Sequence, residues 1–190
     1  MTQPVVPAGR LRDRAQPRLT TDGLVLRPWS PADAGCLVEA YGDPGIQRWH
    51  VRSMNEAEAL EWVAERERRW MAEAGVDWAV VDRELVVGRV GFGSLEPAEG
   101  RGEAAFWVMP SARGRGVAVR ALSAATAWMF GEAGFHRLEL KHSTQNEASC
   151  RVAETAGYRF EGVQRQQGLH ADGWHDMHLH ARLRTDAGCM

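Results

Sequence analysis

The sequence predicts an α+β fold, a mixed β-sheet flanked by helices. Three observations predict it. Short alternating runs rich in branched residues are interleaved with runs of helical period. Hairpin signals fall early, near Asp82 and Arg83, and late, at "ADG" (171–173). Between them, one strand–helix–strand crossover over residues 102–142 requires two locally parallel strands.

Each element follows from its own residues. "LVLRPW" (24–29) alternates and reads as the first strand. Ser30 at an N-cap and Pro31 at the first helical position then open a helix carrying Cys36, Leu37, Val38 and Tyr41. "DPGIQRWHV" (43–51) has no clear period. Ser53 and Glu56 have capping-box spacing and predict a helix to about Ala74, stopped by Gly75. Its apolar side holds Leu60, Val63, Ala64, Trp70 and Met71; its wet side holds Glu65, Arg66, Arg68 and Arg69. "DWAVVD" and "ELVVGRVGFGSL" pair as antiparallel strands, and "GEAAFWVM" (102–109) is the next strand. Residues 113–133 form the strongest helical pattern, with Val117, Leu122, Ala125 and Met129 in register. "RLELKH" is a strand, and a helix follows Asn146 and ends at Gly157. "YRFEG" and "GVQRQQG" are extended. "WHDMHLHARL" turns Met177, Leu179, Ala181 and Leu183 to the core and leaves Asp176, His178 and His180 as its polar side. Residues 1–20, with four prolines or glycines and several arginines, read as a flexible arm; 21–185 form a single domain, and 186–190 a tail.

Bulk properties exclude several classes of function. The chain has 190 residues, 44% of them hydrophobic, enough to bury a core. Its net charge of −2 gives no general affinity for nucleic acid or membranes, and no run is long enough to span a bilayer. Cys36, Cys150 and Cys189 lie far apart without a CxxC, which suggests neither disulfides nor a zinc site and fits a reducing cytoplasm. No motif marks Cys150 as a nucleophile.

The stretch that carries chemistry is "MPSARGRGVA" (109–118). A strand ends at Pro110 and a helix starts within a few residues. The first turn of a helix has unpaired N–H groups and the positive end of its dipole. Gly114 and Gly116 let a backbone approach a ligand closely, and Arg113 and Arg115 add charge, so the loop suits an anion. It has neither the Lys-Ser/Thr of a nucleotide triphosphate loop nor the spacing of a dinucleotide fingerprint.

Arg113-x-x-Gly116-x-Ala118 resembles the acyl-coenzyme A pyrophosphate loop of the GNAT acetyltransferase family. The order strand, loop, helix "VAVRALSAATAWMF", strand "RLELKH" is similar to that family's core. "NEASCRVAETAGYRFEG" (146–162), the opening "LVLRPWSPADAGCLVEAYGDP" and the late "GWHDMHLHARL" resemble its ribosomal-protein N-terminal acetyltransferase branch, so the likeness covers roughly 22–184. The resemblance implies a splayed, mostly antiparallel mixed sheet and acetyl-coenzyme A as co-substrate. It implies that backbone groups of Trp107 and Val108 pair with the pantetheine arm. The amides of Arg113, Gly114, Arg115, Gly116, Val117 and Ala118 would hold the pyrophosphate, with Asn146 and Ser149 near the thioester. It further implies a homodimer.

Amine attack on a thioester needs a neutral amine, a donor for the oxyanion and a proton or dipole for the leaving thiolate. Ser149 is the candidate acid by resemblance, Asn146 a candidate partner of pantetheine or water, and Glu103 a candidate base acting through water. Alternation puts Glu103 on the face of Ala105 and Trp107; Glu96 is a weaker candidate. Trp49, His175 and Asp176 are candidate acceptor contacts, and no metal is expected. The acceptor is a primary amine, at a protein N-terminus or on a small molecule. An aminoglycoside, a succinyl donor and a non-catalytic acyl-coenzyme A-binding module are the alternatives. An aminoglycoside would need an acidic cleft, which Glu96, Glu99 and Glu103 favour and Arg66, Arg68 and Arg69 oppose.

Overall fold

In the computed structural model, residues 3–186 are described. Eight strands form one sheet in the order β1-β2-β3-β4-β5-β6-β8-β7. The strands are β1 (Leu19–Thr21), β2 (Leu24–Pro28), β3 (Val76–Asp82), β4 (Leu85–Glu96), β5 (Arg101–Val108), β6 (Arg137–Ser143), β7 (Arg159–His170) and β8 (Gly173–Leu183). Five α-helices accompany them: α1 (Ala34–Gly42), α2 (Pro44–His50), α3 (Glu56–Met71), α4 (Val117–Trp128) and α5 (Glu147–Thr155). Every strand pair is antiparallel except β5 with β6, the pair joined by the crossover through α4.

Two apolar clusters hold the sheet. The larger joins Trp78, Val90, Phe92, Leu138 and Leu140 to Leu122, Ala125 and Met129 on α4 and its extension. The smaller joins Trp29, Leu37, Tyr41, Trp62 and Trp107 under α1 and α3. Asp77 lies between Arg66 and Arg89, 3.2 Å and 2.5 Å away, so the buried carboxylate is compensated from two sides.

Several elements correct the sequence expectations. The first strand is β1, paired to β2 through Asp22–Gly23, whose φ angles are +36° and +81°. Within residues 43–51, Pro44–His50 form α2, opened by Asp43, whose side chain accepts from Ile46 N–H. The cap of α3 is Asn55 with Glu58, which bond reciprocally, rather than Ser53 with Glu56; both pairs have box spacing, and only the later one adjoins the helix. The helix expected over 113–133 starts at Val117 and ends in a π-turn, Met129–Ala133, capped by Gly134 at φ +89°.

The arm expected to be free is packed instead. Val6 and Leu11 are buried in the main cluster, and the amides of Gly9 and Leu11 donate to the Glu73 carboxylate at the end of α3. Trp70 and Trp78 donate their indole N–H groups to the Arg14 and Pro17 carbonyls. Apolar residues spaced along an irregular segment leave no periodic signal, which is why composition suggested mobility. The tail expected over 186–190 falls, beyond Asp186, outside the described residues, as do residues 1 and 2 and Cys189.

Candidate active site

Strands β5 and β6 pair over only four positions, Arg101↔Arg137 to Ala104↔Leu140, and both then continue unpaired with each other. A wedge opens between them. Met109 N–H bonds to Val87 O on β4, so by alternation Phe106 and Val108 turn their main-chain groups toward the wedge. This corrects the expectation for Trp107, whose main chain faces β4 and whose buried indole donates to Tyr41 Oη at 3.2 Å. Val108 keeps the expected orientation.

At the wide end of the wedge, Pro110–Ala112 makes one 3₁₀ turn before α4 begins. Gly114 and Gly116 have φ of +74° and +70°, a region that L side chains avoid, and a Cβ on either would stand in open space. Gly116 is the N-cap and no side chain caps the helix; the first amide bonded back is Arg120 N–H, to Gly116 O. The amides of Val117, Ala118 and Val119 therefore aim outward with the positive end of the dipole. The side chains of the two arginines point elsewhere: Arg113 bonds to Asp43 at 2.8 Å and Val108 O at 3.2 Å, and Arg115 to Asp82 at 2.5 Å. The Arg113 guanidinium holds the Asp43 carboxyl below the usual carboxylate range.

A cavity of ≈ 560 Å³ runs from Gly114, Gly116 and Ala118 past Phe106 and Val108 to Asn146 and Ser149. A smaller cavity of ≈ 170 Å³ shares Trp49, His50, Phe106, Asn146 and Ser149 with it and extends inward to Glu103, Lys141, Ser143 and His170. The two thus adjoin along a shared wall. Asn146 is the buried N-cap of α5 and its Oδ1 accepts Ser149 N–H at 3.1 Å, as its cap position predicts. Ser149 stands one turn into α5, between the cavities.

The remaining candidates divide. Glu103 reaches the inner cavity, but its Oε2 is 2.7 Å from Lys141 Nζ. Trp49 lines both cavities, edge-on to His170 at 5.9 Å between centroids. His175 is buried behind the wall, bonded to Ser143 Oγ at 2.8 Å and Asp172 at 2.9 Å. Asp176 is exposed and accepts Gln166 N–H at the β7 bulge, so it is not part of the cleft. Glu96 and Glu99 pair with Arg101 in an exposed turn. Arg66 is spent on Asp77, Arg68 on Glu61 and Glu65, and Arg69 on Ala74 O; none lines either cavity.

Sequence reading missed His50, Lys141 and Ser143. His50 sits where the cavities meet, and its Nε2 donates to Phe106 O at 3.1 Å. Burial, then Arg89, pushes its pKa down to about 4, so the ring is neutral at pH 7. Val51, next to it, ends α2 at φ +43°, a strained angle for a β-branched residue. A helix too short to show a period gave no signal for His50; the parallel pairing of β5 and β6, which places Lys141 near Glu103, was the signal available for Lys141.

A glycine-cradled helix mouth opening into a strand wedge has the geometry that an acyl-carrier transferase needs. Residues 23–159 match the acetyltransferase (GNAT) domain family, and the chain belongs to it: the reaction is acyl-coenzyme A-dependent N-acetyl transfer. It is 27% identical over 154 residues to the uncharacterised N-acetyltransferase YoaA of Bacillus subtilis (strain 168), covering 79% of this chain and 87% of that protein. It is 28% identical to the ribosomal-protein-serine acetyltransferase of Escherichia coli (strain K12), over 55% of this chain and 58% of that protein. Its fold superposes with a TM-score of 0.82 on RimL, a ribosomal L7/L12 α-N-protein acetyltransferase in complex with coenzyme A, at 18% identity over 88% of this chain and 98% of RimL. No helix among the described residues is long and apolar enough to cross a membrane.

Proposed function

We propose that this chain acetylates the α-amine of a protein or peptide N-terminus. One observation carries the reading: the inner cavity is small and not acidic. Its one carboxylate, Glu103, is neutralised by Lys141 at 2.7 Å, which disfavours a polycationic aminoglycoside. A volume of ≈ 170 Å³, about six waters' worth, suits one chain end entering from the surface. An α-amine also titrates near pKa ~8 rather than ~10.4, so it needs little help to become the neutral nucleophile. RimL is by name an α-N-protein acetyltransferase, which supports the same class.

The residues have the following roles in this reading. The amides of residues 114–119 hold the pyrophosphate, and the wedge-facing main chain of Phe106 and Val108 pairs with the pantetheine amides. Ser149 Oγ donates to the departing sulfur, helped by the positive end of α5. Neutral His50 fixes the Phe106 carbonyl and keeps the β5 edge in place. Glu103, paired with Lys141, accepts the amine proton through water. The cysteine usage fits a cytoplasmic enzyme.

The test is thiol release from acetyl-coenzyme A with matched peptides. A free N-terminus should support turnover at least tenfold better than the same peptide N-terminally blocked and bearing an internal lysine, or than an aminoglycoside. Equal rates for the blocked peptide would overturn the acceptor class.

A further inference from the structure

Strand β8 was expected to expose Asp176, His178 and His180 as a wet face. Asp176 is exposed, but α5 brings Cys150 against the other two: His178 is half-buried and His180 fully buried. His142 of β6, Cys150 of α5 and His178 and His180 of β8 converge there, each offering one donor atom, with all four atoms within 4.8 Å of one another. The sequence contains no metal-binding spacing because the four residues come from three elements.

The hydrogen bonds define which ring nitrogens are bare. His142 Nδ1 lies 2.8 Å from Ser143 O and His180 Nδ1 lies 3.3 Å from Tyr158 O. A carbonyl can only accept, so both Nδ1 atoms carry the proton. Each neutral ring then presents a lone pair at Nε2, and these two Nε2 atoms face each other at 3.2 Å. Two lone pairs at that distance repel unless a cation lies between them. A proton would leave a buried imidazolium, and among the described residues no carboxylate forms an ion pair with either ring.

The spacing matches a tetrahedral metal. Zn–N bonds of about 2.0–2.1 Å and Zn–S of about 2.3 Å separate nitrogen ligands by about 3.3 Å and nitrogen from sulfur by about 3.6 Å. The Cys150 sulfur is 3.9 Å from His180 Nε2 and 4.0 Å from His178 Nδ1. The carbonyls behind His142 and His180 supply the outer contacts that orient metal-bound imidazoles.

We propose that His142, Cys150, His178 and His180 form a structural zinc site tying α5 to β6 and β8. Binding releases the Cys150 thiol proton to solvent and closes four bonds to protein, so no position is left for catalysis. The site steadies the first turn of α5, since Cys150 follows Ser149 and His142 lines the inner cavity.

The test uses the full chain without a metal-affinity tag, stripped with chelator and titrated with cobalt(II) as the probe. One equivalent should bind, with the strong visible absorption of tetrahedral cobalt and a thiolate-to-cobalt charge-transfer band. Cys150→Ala should lose that band, and both it and His178→Gln, at half-exposed positions, should weaken binding at least as much as loss of an outer contact does, about 10–100-fold. At equal zinc concentration the Tm of the parent should rise more than that of either variant. Absence of stoichiometric binding, or binding and spectra unchanged in both variants, would overturn the site.

Discussion

The two ends of the cleft are built differently. The outer end is made of main chain: two glycines and the first turn of α4, contiguous over residues 114–119. The inner end is made of side chains from α2, β5, β6, α5, β7 and β8, with sequence separations of up to 128 residues, between Trp49 and Met177. A main-chain site is encoded where it stands, because glycine and helix start are local properties. A side-chain site exists only once the topology has assembled it. Substitutions should therefore act in opposite ways: at the outer end by what they add, at the inner end by what they remove.

The sharpest break of that comparison is Gly116→Val. The added side chain would occupy the open space and force a β-branched residue to φ +70°, so coenzyme A affinity should fall at least about a thousandfold, ~4 kcal/mol by calorimetry. Affinity within threefold of the parent would refute a main-chain cradle. Ser149→Ala removes one oxygen at the inner end; kcat should fall about a hundredfold while coenzyme A affinity stays within about threefold. Equal turnover would remove Ser149 from the chemistry.

His50 sharpens the comparison through pH. Its folded pKa, about 4, is below the ordinary 6.5, so the fold favours the neutral ring. The corresponding stability is complete above pH 6.5 and is lost as pH falls toward 4, by about 2 kcal/mol between pH 6.5 and 5. Denaturant midpoints measured for the parent and His50→Gln should converge in slope only if another group is responsible; the variant should lack this acid loss. The smallest effect belongs to Arg113→Ala. The side chain bonds to Asp43 at an exposed position while the main chain forms the cradle, so coenzyme A affinity should change less than about tenfold.

The same contrast explains what could be read from sequence. The crossover, the glycine loop, the Asn146 cap and the C-terminal glycines were readable because each is a short-range pattern. Trp107 was misplaced by one position, since alternation fixes which residues share an edge but not which edge they face until β4 supplies the register. His180 was assigned to the wet side because a half-polar strand looks the same whether water or a helix lies over it. The aromatic and histidine contacts around Trp49 depend on a seven-residue helix packed on a distant hairpin, which no window of the sequence contains.

The packed N-terminal segment has a practical consequence. Trimming the chain ahead of β1 would strand two indole donors, bare the Glu73 carboxylate and uncover the core filled by Val6 and Leu11. Those first turns act as a lid on the hydrophobic interior, so expression designs that discard them as a leader would produce an aggregation-prone protein rather than a smaller enzyme.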